Sequence, residues 1–164
     1  MKRQPTADEM LLRMAGLCAA SEQCVSDIRA KVLKKGFSPE VADRIIDYLV
    51  SNRYIDEVRY AKAFTADKVR FSCWGRIKIR MHLRAKHVDD SSISEGLLYI
   101  DEKQYAESLG RVLEAKARTL DMSEIADRRK LYRHLASRGY ESSLIVQAIR
   151  NYLKKASASG HEDD

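Results

Sequence analysis

Apolar residues recur every three or four positions along almost the whole chain, and short polar stretches interrupt this pattern. The spacing is that of amphipathic α-helices, which place their apolar side chains on one face. Start signals include Ser38-Pro39, where a serine cap precedes a proline, and Asp56 ahead of a long helix. Gly36 and Gly139 stand where helix ends need a left-handed residue. The pattern predicts nine helices, at residues 7–20, 25–35, 39–51, 56–71, 74–86, 90–100, 102–119, 124–138 and 141–155.

The apolar pattern also repeats along the chain. Three pairs of apolar residues with i, i+4 spacing stand at offsets of 51 and 52 residues: Ile28 with Val32, Ile79 with Leu83, and Leu131 with Leu135. Repeats of this length usually form helical units that bury a core only against their neighbours. We therefore expect an all-α fold of three stacked three-helix units, at residues 7–51, 54–100 and 101–155, followed by a disordered tail at 156–164.

Two of the long helices share a further match. Tyr60 and Phe64 correspond to Tyr105 and Leu109, and each pair follows an Ile-Asp-Glu triplet. Residues four apart lie on the same helix face, so each pair is expected to form a buried edge.

The helix at 74–86 carries two apolar stripes. Ile79 and Leu83 form one, while Ile77, Met81 and Ala85 lie nearly opposite. A helix that is apolar on both sides is expected to be sandwiched between neighbours, with its arginines projecting from the edge.

Composition narrows the class of protein. No run of about 18 apolar residues is present, and the N-terminal residues lead into an amphipathic segment rather than a secretory signal. Cys18, Cys24 and Cys73 are odd in number and lack CxxC spacing, so they are interpreted as reduced thiols. We expect a cytoplasmic, monomeric protein that does not bind membranes and uses no metal or cofactor.

The middle of the chain is strongly basic. Seven of the 30 Lys and Arg residues lie between Lys68 and His87 without a carboxylate, which leaves 23 basic against 24 acidic residues elsewhere. Such a segment is either a solvated face or a contact with phosphates. Trp74 could stack on an exposed base. The candidate contact residues are Arg70, Trp74, Arg76, Lys78, Arg80, Arg84 and Lys86. A second cluster, Arg128-Arg129-Lys130 with Arg133 and Arg138, extends the basic character into the third unit.

The chain resembles the RecX family of recombinase regulators. The resemblance rests on Ser26 to Arg29, Lys34 to Phe37, Tyr54 to Phe64, Gly75 to Arg80 and Leu83 to Lys86, and it covers roughly residues 15–153. Family membership implies three-helix units in a curved, elongated array. It also implies binding to the RecA filament on single-stranded DNA, where the protein limits strand exchange and ATP turnover in DNA repair and the SOS response.

Two features depart from the repeat and family pattern. Cys24 occupies a position that commonly holds a serine cap, and a thiol caps poorly. His87 replaces the glycine found in the other two copies, and histidine is among the residues that tolerate the left-handed conformation.

Other function classes compete with a filament regulator. The helices at 74–86 and 90–100 could form the helix-turn-helix of a DNA-binding transcription regulator. That segment holds neither Asn nor Gln, so it favours contact with the DNA backbone over base reading. An enzyme such as a nuclease would need a metal-ligand or nucleophile constellation, and the sequence suggests none, so we expect no catalysis.

Overall fold

The computed structural model describes residues 5–159, and within that range it consists of nine α-helices joined by short turns, with no strand. The all-α prediction is confirmed, and most helix ends fall within two residues of the predicted ones. The helices are α1 (Ala7–Ala20), α2 (Val25–Lys34), α3 (Pro39–Ser51), α4 (Glu57–Ser72), α5 (Arg76–Ala85), α6 (Asp90–Leu98), α7 (Glu102–Ala117), α8 (Ile125–Ser137) and α9 (Ser142–Ser159).

Polar side chains cap most of the helix starts. The Ser38 hydroxyl accepts the Val41 amide ahead of Pro39, and the Asp56 carboxylate accepts the Arg59 amide at 2.9 Å. The carboxylates of Asp89 and Asp101 cap α6 and α7 in the same way. These bonds satisfy amides that have no partner inside the helix. Cys24 precedes α2 without a side-chain cap bond, as expected for a thiol.

Left-handed residues end several helices. Gly36 and Gly139 have φ values of 84° and 90°, and His87 has a φ of 58°, so all three predicted positions are confirmed. Arg53 and Cys73 also adopt positive φ, at 58° and 50°, which the sequence did not indicate. Both side chains carry a Cβ, so the left-handed conformation is less favourable at these two positions than at glycine.

The chain forms two compact units, each made of two separate stretches of sequence. Of the described residues, the first unit takes residues 5–64 together with His82–Tyr99. Its core lies between α1, α2 and α3, where side chains such as Met10, Ile28 and Leu49 are buried. Gly96 of α6 lies so close to α4 that a Cβ would approach the Ala61 Cβ to 2.7 Å.

The second unit takes Thr65–Met81 and, within the described range, residues 100–159. Within it α7, α8 and α9 pack against one another around side chains such as Leu113, Leu135 and Ile145. The C-terminal part of α4 contributes Val69, whose carbonyl accepts a 2.8 Å hydrogen bond from the buried Ser108 hydroxyl. Helices α4 and α5 thus supply residues to both units.

The predicted repeat register coincides with burial. Val32, Leu83 and Leu135 are completely buried, and so are their i−4 partners Ile28, Ile79 and Leu131. Tyr60, Tyr105 and Leu109 are buried as well, while Phe64 is half-buried. The boundaries of three separate units remain a prediction.

One packing prediction is wrong. Ile77 and Met81 are 58% and 59% exposed, and Ala85 is exposed too, so α5 is not sandwiched between neighbours. The helix buries only the face that carries Ile79 and Leu83. Two apolar stripes show that both faces of α5 are suited to packing. They do not show that another helix covers each face, and the face with Ile77 and Met81 has no such cover within residues 5–159.

The predicted disordered tail at 156–164 is also corrected in part. Helix α9 continues through Ser159, and the Ser157 hydroxyl donates a 3.0 Å bond to the Leu153 carbonyl. Ala156 and Ala158 favour helix continuation because alanine has the highest helix propensity. The rest of that prediction, residues 160–164, lies outside the described residues.

Replacing Leu83 by alanine tests the register. Because Leu83 has no exposed surface, the variant should lose about 2–5 kcal/mol of unfolding free energy through the cavity that it leaves. Urea denaturation followed by circular dichroism measures this loss. The matched control is Met81→Ala on the exposed face of the same helix, which should change stability little. A near-neutral Leu83→Ala would contradict the register.

Candidate nucleic-acid interface

The start of α5 is fixed by backbone contacts with the turn between α8 and α9. The Gly75 amide donates to the Arg138 carbonyl at 2.8 Å, and the Ile77 amide donates to the Gly139 carbonyl at 3.0 Å. A Cβ on Gly75 would lie well inside van der Waals contact of the Gly139 backbone. Glycine at position 75 is therefore required for this close approach, which satisfies first-turn amides that α5 cannot pair internally.

Arg76 is held in a network with α7 and α9. Its guanidinium binds the carboxylates of Glu141, at 3.0 Å, and Glu102, and it lies 4.2 Å from the centroid of the Tyr105 ring. The Tyr105 hydroxyl accepts the Arg76 amide at 3.0 Å and donates to Glu141 at 2.6 Å. Burial, followed by the bond to Glu141, raises the pKa of Tyr105, so this hydroxyl remains a donor.

The contact predicted for Arg76 remains a prediction, and it would require the guanidinium to leave the carboxylates that bind it. Its side chain is only 24% exposed, and both of its terminal nitrogens bind carboxylates. The sequence could not show this, because the two glutamates lie 26 and 65 residues further along the chain.

Trp74 lies in the turn between α4 and α5, where it is half-buried. The ammonium groups of Lys68 and Lys78 lie 5.2 Å and 4.7 Å from its ring centroid. Such cation–π contacts hold the two lysines beside the indole. A phosphate bound beside this ring would therefore meet two positive charges.

Arg80 and Arg70 present positive charge in the same unit. No described side chain between residues 5 and 159 forms an ion pair with either of them, and Arg70 is exposed beside the ring of Phe71. Arg80 is half-exposed on α5. With Lys78 and Trp74, these side chains form what we call the basic face.

The last two predicted contact residues belong to the first unit and are already paired. The Lys86 ammonium binds both carboxylate oxygens of Asp27, at 2.9 and 2.8 Å, and each of these side chains is 33% exposed. Arg84 binds Asp90 at 2.8 Å, but both side chains are more than half exposed. An exposed pair of this kind contributes only about 0.2–1 kcal/mol, so Arg84 can exchange its carboxylate for a phosphate. Lys86 is held more firmly.

The second unit also contains a basic cleft, and the sequence analysis did not predict most of the residues that line it. The cleft has a volume of about 350 Å³ and is lined by Cys73, Arg111, Lys116, His134 and Arg138, with no carboxylate among its described lining residues. Arg138 appeared in the second sequence cluster. Arg111 and Lys116 gave no signal because they alternate with glutamates along α7, and only packing against α8 brings them together.

His134 gives the basic cleft an ionisable imidazole. Burial, and then the positive charges of Lys116 and Arg138, lower the pKa of His134. The imidazole is therefore neutral at pH 7, and an anion bound in the cleft would favour its protonation.

The described residues contain neither a cluster of metal ligands nor a membrane-spanning helix. No group of three or more His, Cys, Asp or Glu side chains in residues 5–159 could hold a metal ion. No helix in the same range is both long and apolar enough to span a bilayer.

Comparison with known proteins places the chain in a family. Residues 56–97 match the family model described as RecX, second three-helix domain, and residues 102–149 match the RecX, third three-helix domain. The chain is 30% identical over 143 residues to the regulatory protein RecX of Prosthecochloris aestuarii, which covers 87% of this chain and 93% of that protein. The chain belongs to the RecX family.

Other RecX relatives vary in length. The regulatory protein RecX of Chlorobaculum tepidum is 28% identical over 163 residues, covering 99% of this chain and 98% of that protein. The RecX of Clostridium botulinum strain Alaska E43 is 32% identical over 129 residues, but the chain spans only 60% of its length.

Solved RecX structures share the fold. The crystal structure of RecX from Lactobacillus salivarius gives a TM-score of 0.75 at 16% identity, covering 88% of this chain and 95% of that one. A second crystal structure, of regulatory protein RecX, gives 0.73 at 20% identity and covers 88% and 73%. Within this chain the basic face falls in the part that matches the second RecX domain. Arg111, His134 and Arg138 fall in the part that matches the third.

Alanine substitutions at Gly75 and Gly110 distinguish the effect of a close backbone contact from the effect of helix propensity. Gly75→Ala should cost about 1–3 kcal/mol of unfolding free energy, because the new methyl group overlaps backbone atoms of Gly139. The control is Gly110→Ala in α7, where nothing lies within 4 Å of the added Cβ, and it should gain up to about 1 kcal/mol. Denaturant titration measures both, and equal effects would contradict the contact at Gly75.

The basic cleft predicts a pH dependence of nucleic-acid binding. Because protonation of His134 adds a positive charge beside Lys116 and Arg138, affinity for a single-stranded oligonucleotide should rise as pH falls from about 7.5 to about 5.5. A bound anion raises the pKa of His134 above its lowered value in the free chain. Affinity should therefore rise as pH falls between these two pKa values and level off below the lower one. Fluorescence anisotropy measures it. His134→Asn should remove most of the rise and His87→Asn should keep it; an unchanged rise in His134→Asn would exclude the cleft.

Proposed function

We propose that this RecX-family chain is a non-catalytic cytoplasmic regulator that binds the RecA filament on single-stranded DNA and inhibits strand exchange and ATP hydrolysis in DNA repair and the SOS response. Family membership supports the general part of this function, since the relatives named above are regulatory proteins. The contacts on the second unit support the choice of a nucleoprotein surface as the binding partner.

The observation that carries the proposal is the combination of apolar and basic exposed groups in one unit. Phe71, Ile77 and Met81 are 71%, 58% and 59% exposed, and they share short segments with Arg70 and Arg80. A filament of protein on DNA offers both an apolar protein surface and phosphates. Naked DNA would leave the apolar side chains in water, so these residues favour the filament over DNA by itself.

The basic face fits contact that does not depend on base sequence. Lys78 and Arg80 supply charge for phosphates, and the Trp74 ring supplies a stacking surface that accepts any base. A regulator of a filament needs this tolerance, because the filament covers DNA of every sequence. The basic cleft, lined by Arg111 and Arg138, would add further phosphate contacts in the same unit.

A DNA-binding transcription regulator is the second candidate function. The sequence spacing of α5 and α6 fits a helix-turn-helix, but residues 74–98 contain no Asn or Gln to read adenine. The second helix of such a pair, α6, would be the recognition helix, and its residues Asp90–Leu98 include no Lys or Arg either. Arg76 on α5 binds Glu102 and Glu141. The proposal also assigns no catalysis to these two glutamates, since both already bind the same guanidinium.

The test compares the ATPase activity of RecA on single-stranded DNA with and without this chain. The wild-type chain should lower the rate. Lys78→Glu/Arg80→Glu should need about tenfold or more protein for the same inhibition, because charge reversal removes phosphate contacts while leaving the buried side of α5 intact.

The matched control is Arg13→Glu/Arg44→Glu, which reverses two exposed arginines on α1 and α3. It should inhibit like the wild type, and circular dichroism should show unchanged folding in all variants. Equal RecA activity with and without the wild-type chain would contradict the proposal. Equal inhibition by both double variants would exclude the basic face while leaving the regulator assignment in place.

A further inference from the structure

The second unit carries a groove that the basic face and the basic cleft do not use. It lies between α8 and α9 and has a volume of about 400 Å³. Its floor is aliphatic: Ile125 from α8, and Val146, Ile149 and Leu153 from α9. The ring of Tyr132 closes one side of it.

Two of the four floor residues are exposed to solvent, and the other two, Ile149 and Leu153, are half-buried. Ile125 is 64% exposed and Val146 is 45% exposed. Ile145, one position before Val146, is completely buried, so the floor residues of α9 lie beside the face of this helix that packs into the core. Val146, Ile149 and Leu153 have the i, i+3, i+7 spacing of a continuous stripe, which is typical of a helix surface that packs against another helix.

Positive charge lines the edges of the groove. Arg129 and Arg150 are exposed and form no ion pair with any described side chain of residues 5–159. The third arginine, Arg128, is held in place because it donates to the carbonyls of Met122, at 2.7 Å, and Ser123, at 3.2 Å. No carboxylate is among the described lining residues, so the groove is complementary to an anionic partner.

We propose that this groove binds an acidic amphipathic helix of a partner protein, with aliphatic side chains of that helix on the floor and its carboxylates on Arg129 and Arg150. The stripe from Val146 to Leu153 is about 10 Å long at 1.5 Å per residue, which matches two turns of a bound helix. Binding of an amphipathic helix in an apolar groove is a recurrent mode of peptide recognition.

The floor decides between a protein and a nucleic acid as the occupant. Bases stack on exposed aromatic rings, whereas four of the five floor and wall residues here are aliphatic. The one aromatic residue, Tyr132, has its hydroxyl within 2.7 Å of the Ser142 hydroxyl, at the edge of the unit. Aliphatic side chains gain from contact with other aliphatic side chains, so the groove fits a peptide. The inference does not rest on the proposed function, because Lys78 and Arg80 take no part in it.

The experiment selects ligands from a phage-displayed library of helical peptides, with the full-length chain as target and its Arg129→Glu/Arg150→Glu variant for counter-selection. The expected result is enrichment of peptides that carry aliphatic residues at i, i+3 and i+7 and a net negative charge. Failure to enrich any peptide over the variant, or enrichment of basic or purely polar sequences, would overturn the proposal.

The most enriched peptide is then labelled and titrated by fluorescence anisotropy. Arg129→Glu/Arg150→Glu and Val146→Asp should each weaken binding about tenfold or more, since one removes the charges and the other places a charge on the floor. Arg133→Glu is the matched control on α8, outside the groove, and should bind within about twofold of the wild type.

Two other occupants are separate outcomes of the same titration. If a short oligothymidylate displaces the peptide, and its own affinity falls in Val146→Asp, the groove is a nucleic-acid site and the proposal is wrong. Analytical ultracentrifugation covers the second case. A dimer of the wild-type chain that dissociates in Val146→Asp would mean that a second copy occupies the groove, which would also overturn the proposal. A monomer at all concentrations, together with peptide binding, supports it.

Discussion

The backbone contact between Gly75 and the turn at Gly139 is the constraint on which the second unit depends. The amides of Gly75 and Ile77, at the start of α5, donate to the carbonyls of Arg138 and Gly139 in the turn between α8 and α9. This close approach is possible because neither Gly75 nor Gly139 carries a Cβ. The contact fixes where α5 starts. It therefore also fixes where Trp74, one residue before Gly75, and Lys78, three residues after it, present their side chains.

The network around Arg76 makes this contact specific. A partly buried guanidinium is costly to desolvate, so its bonds to Glu102 and Glu141 contribute less net stability than their number implies. What they provide is register, because the Tyr105 hydroxyl has to meet both the Arg76 amide and Glu141 at the same time. A one-residue shift of α5 would remove the Arg76 guanidinium from both carboxylates and the Arg76 amide from the Tyr105 hydroxyl.

The sequence predicted what depends on local spacing and missed what depends on distant packing. Helical periodicity and capping chemistry are local, so the nine helices of residues 5–159, the cap at Asp56 and the left-handed His87 could be predicted. The buried register at Leu83 followed from the repeat. Periodicity cannot tell whether a second apolar face finds a cover, and therefore Ile77 was placed wrongly.

Charge counting failed for the same physical reason. A run of basic residues gives the total charge, but the partners of Arg76 and Lys86 lie 26 to 65 residues away in sequence and become visible only in the folded chain. Conversely, Arg111 and Lys116 look like members of an ordinary charged helix. Packing of α7 against α8 brings them next to His134.

The discontinuity of the two units has a consequence for how the chain folds during synthesis. The first unit is complete only when His82–Tyr99 has been made, and by then Thr65–Met81 has already emerged without the residues after Ile100 against which it packs. The Gly75 backbone and Ile79 can reach their native contacts only after the turn at Gly139 has been synthesised. Packing of the second unit, which begins with Thr65–Met81, is therefore completed by the last helices to leave the ribosome. No single cut of the chain separates the two units cleanly, because a fragment that ends at Tyr99 still carries Thr65–Met81 and a fragment that begins at Thr65 still carries His82–Tyr99.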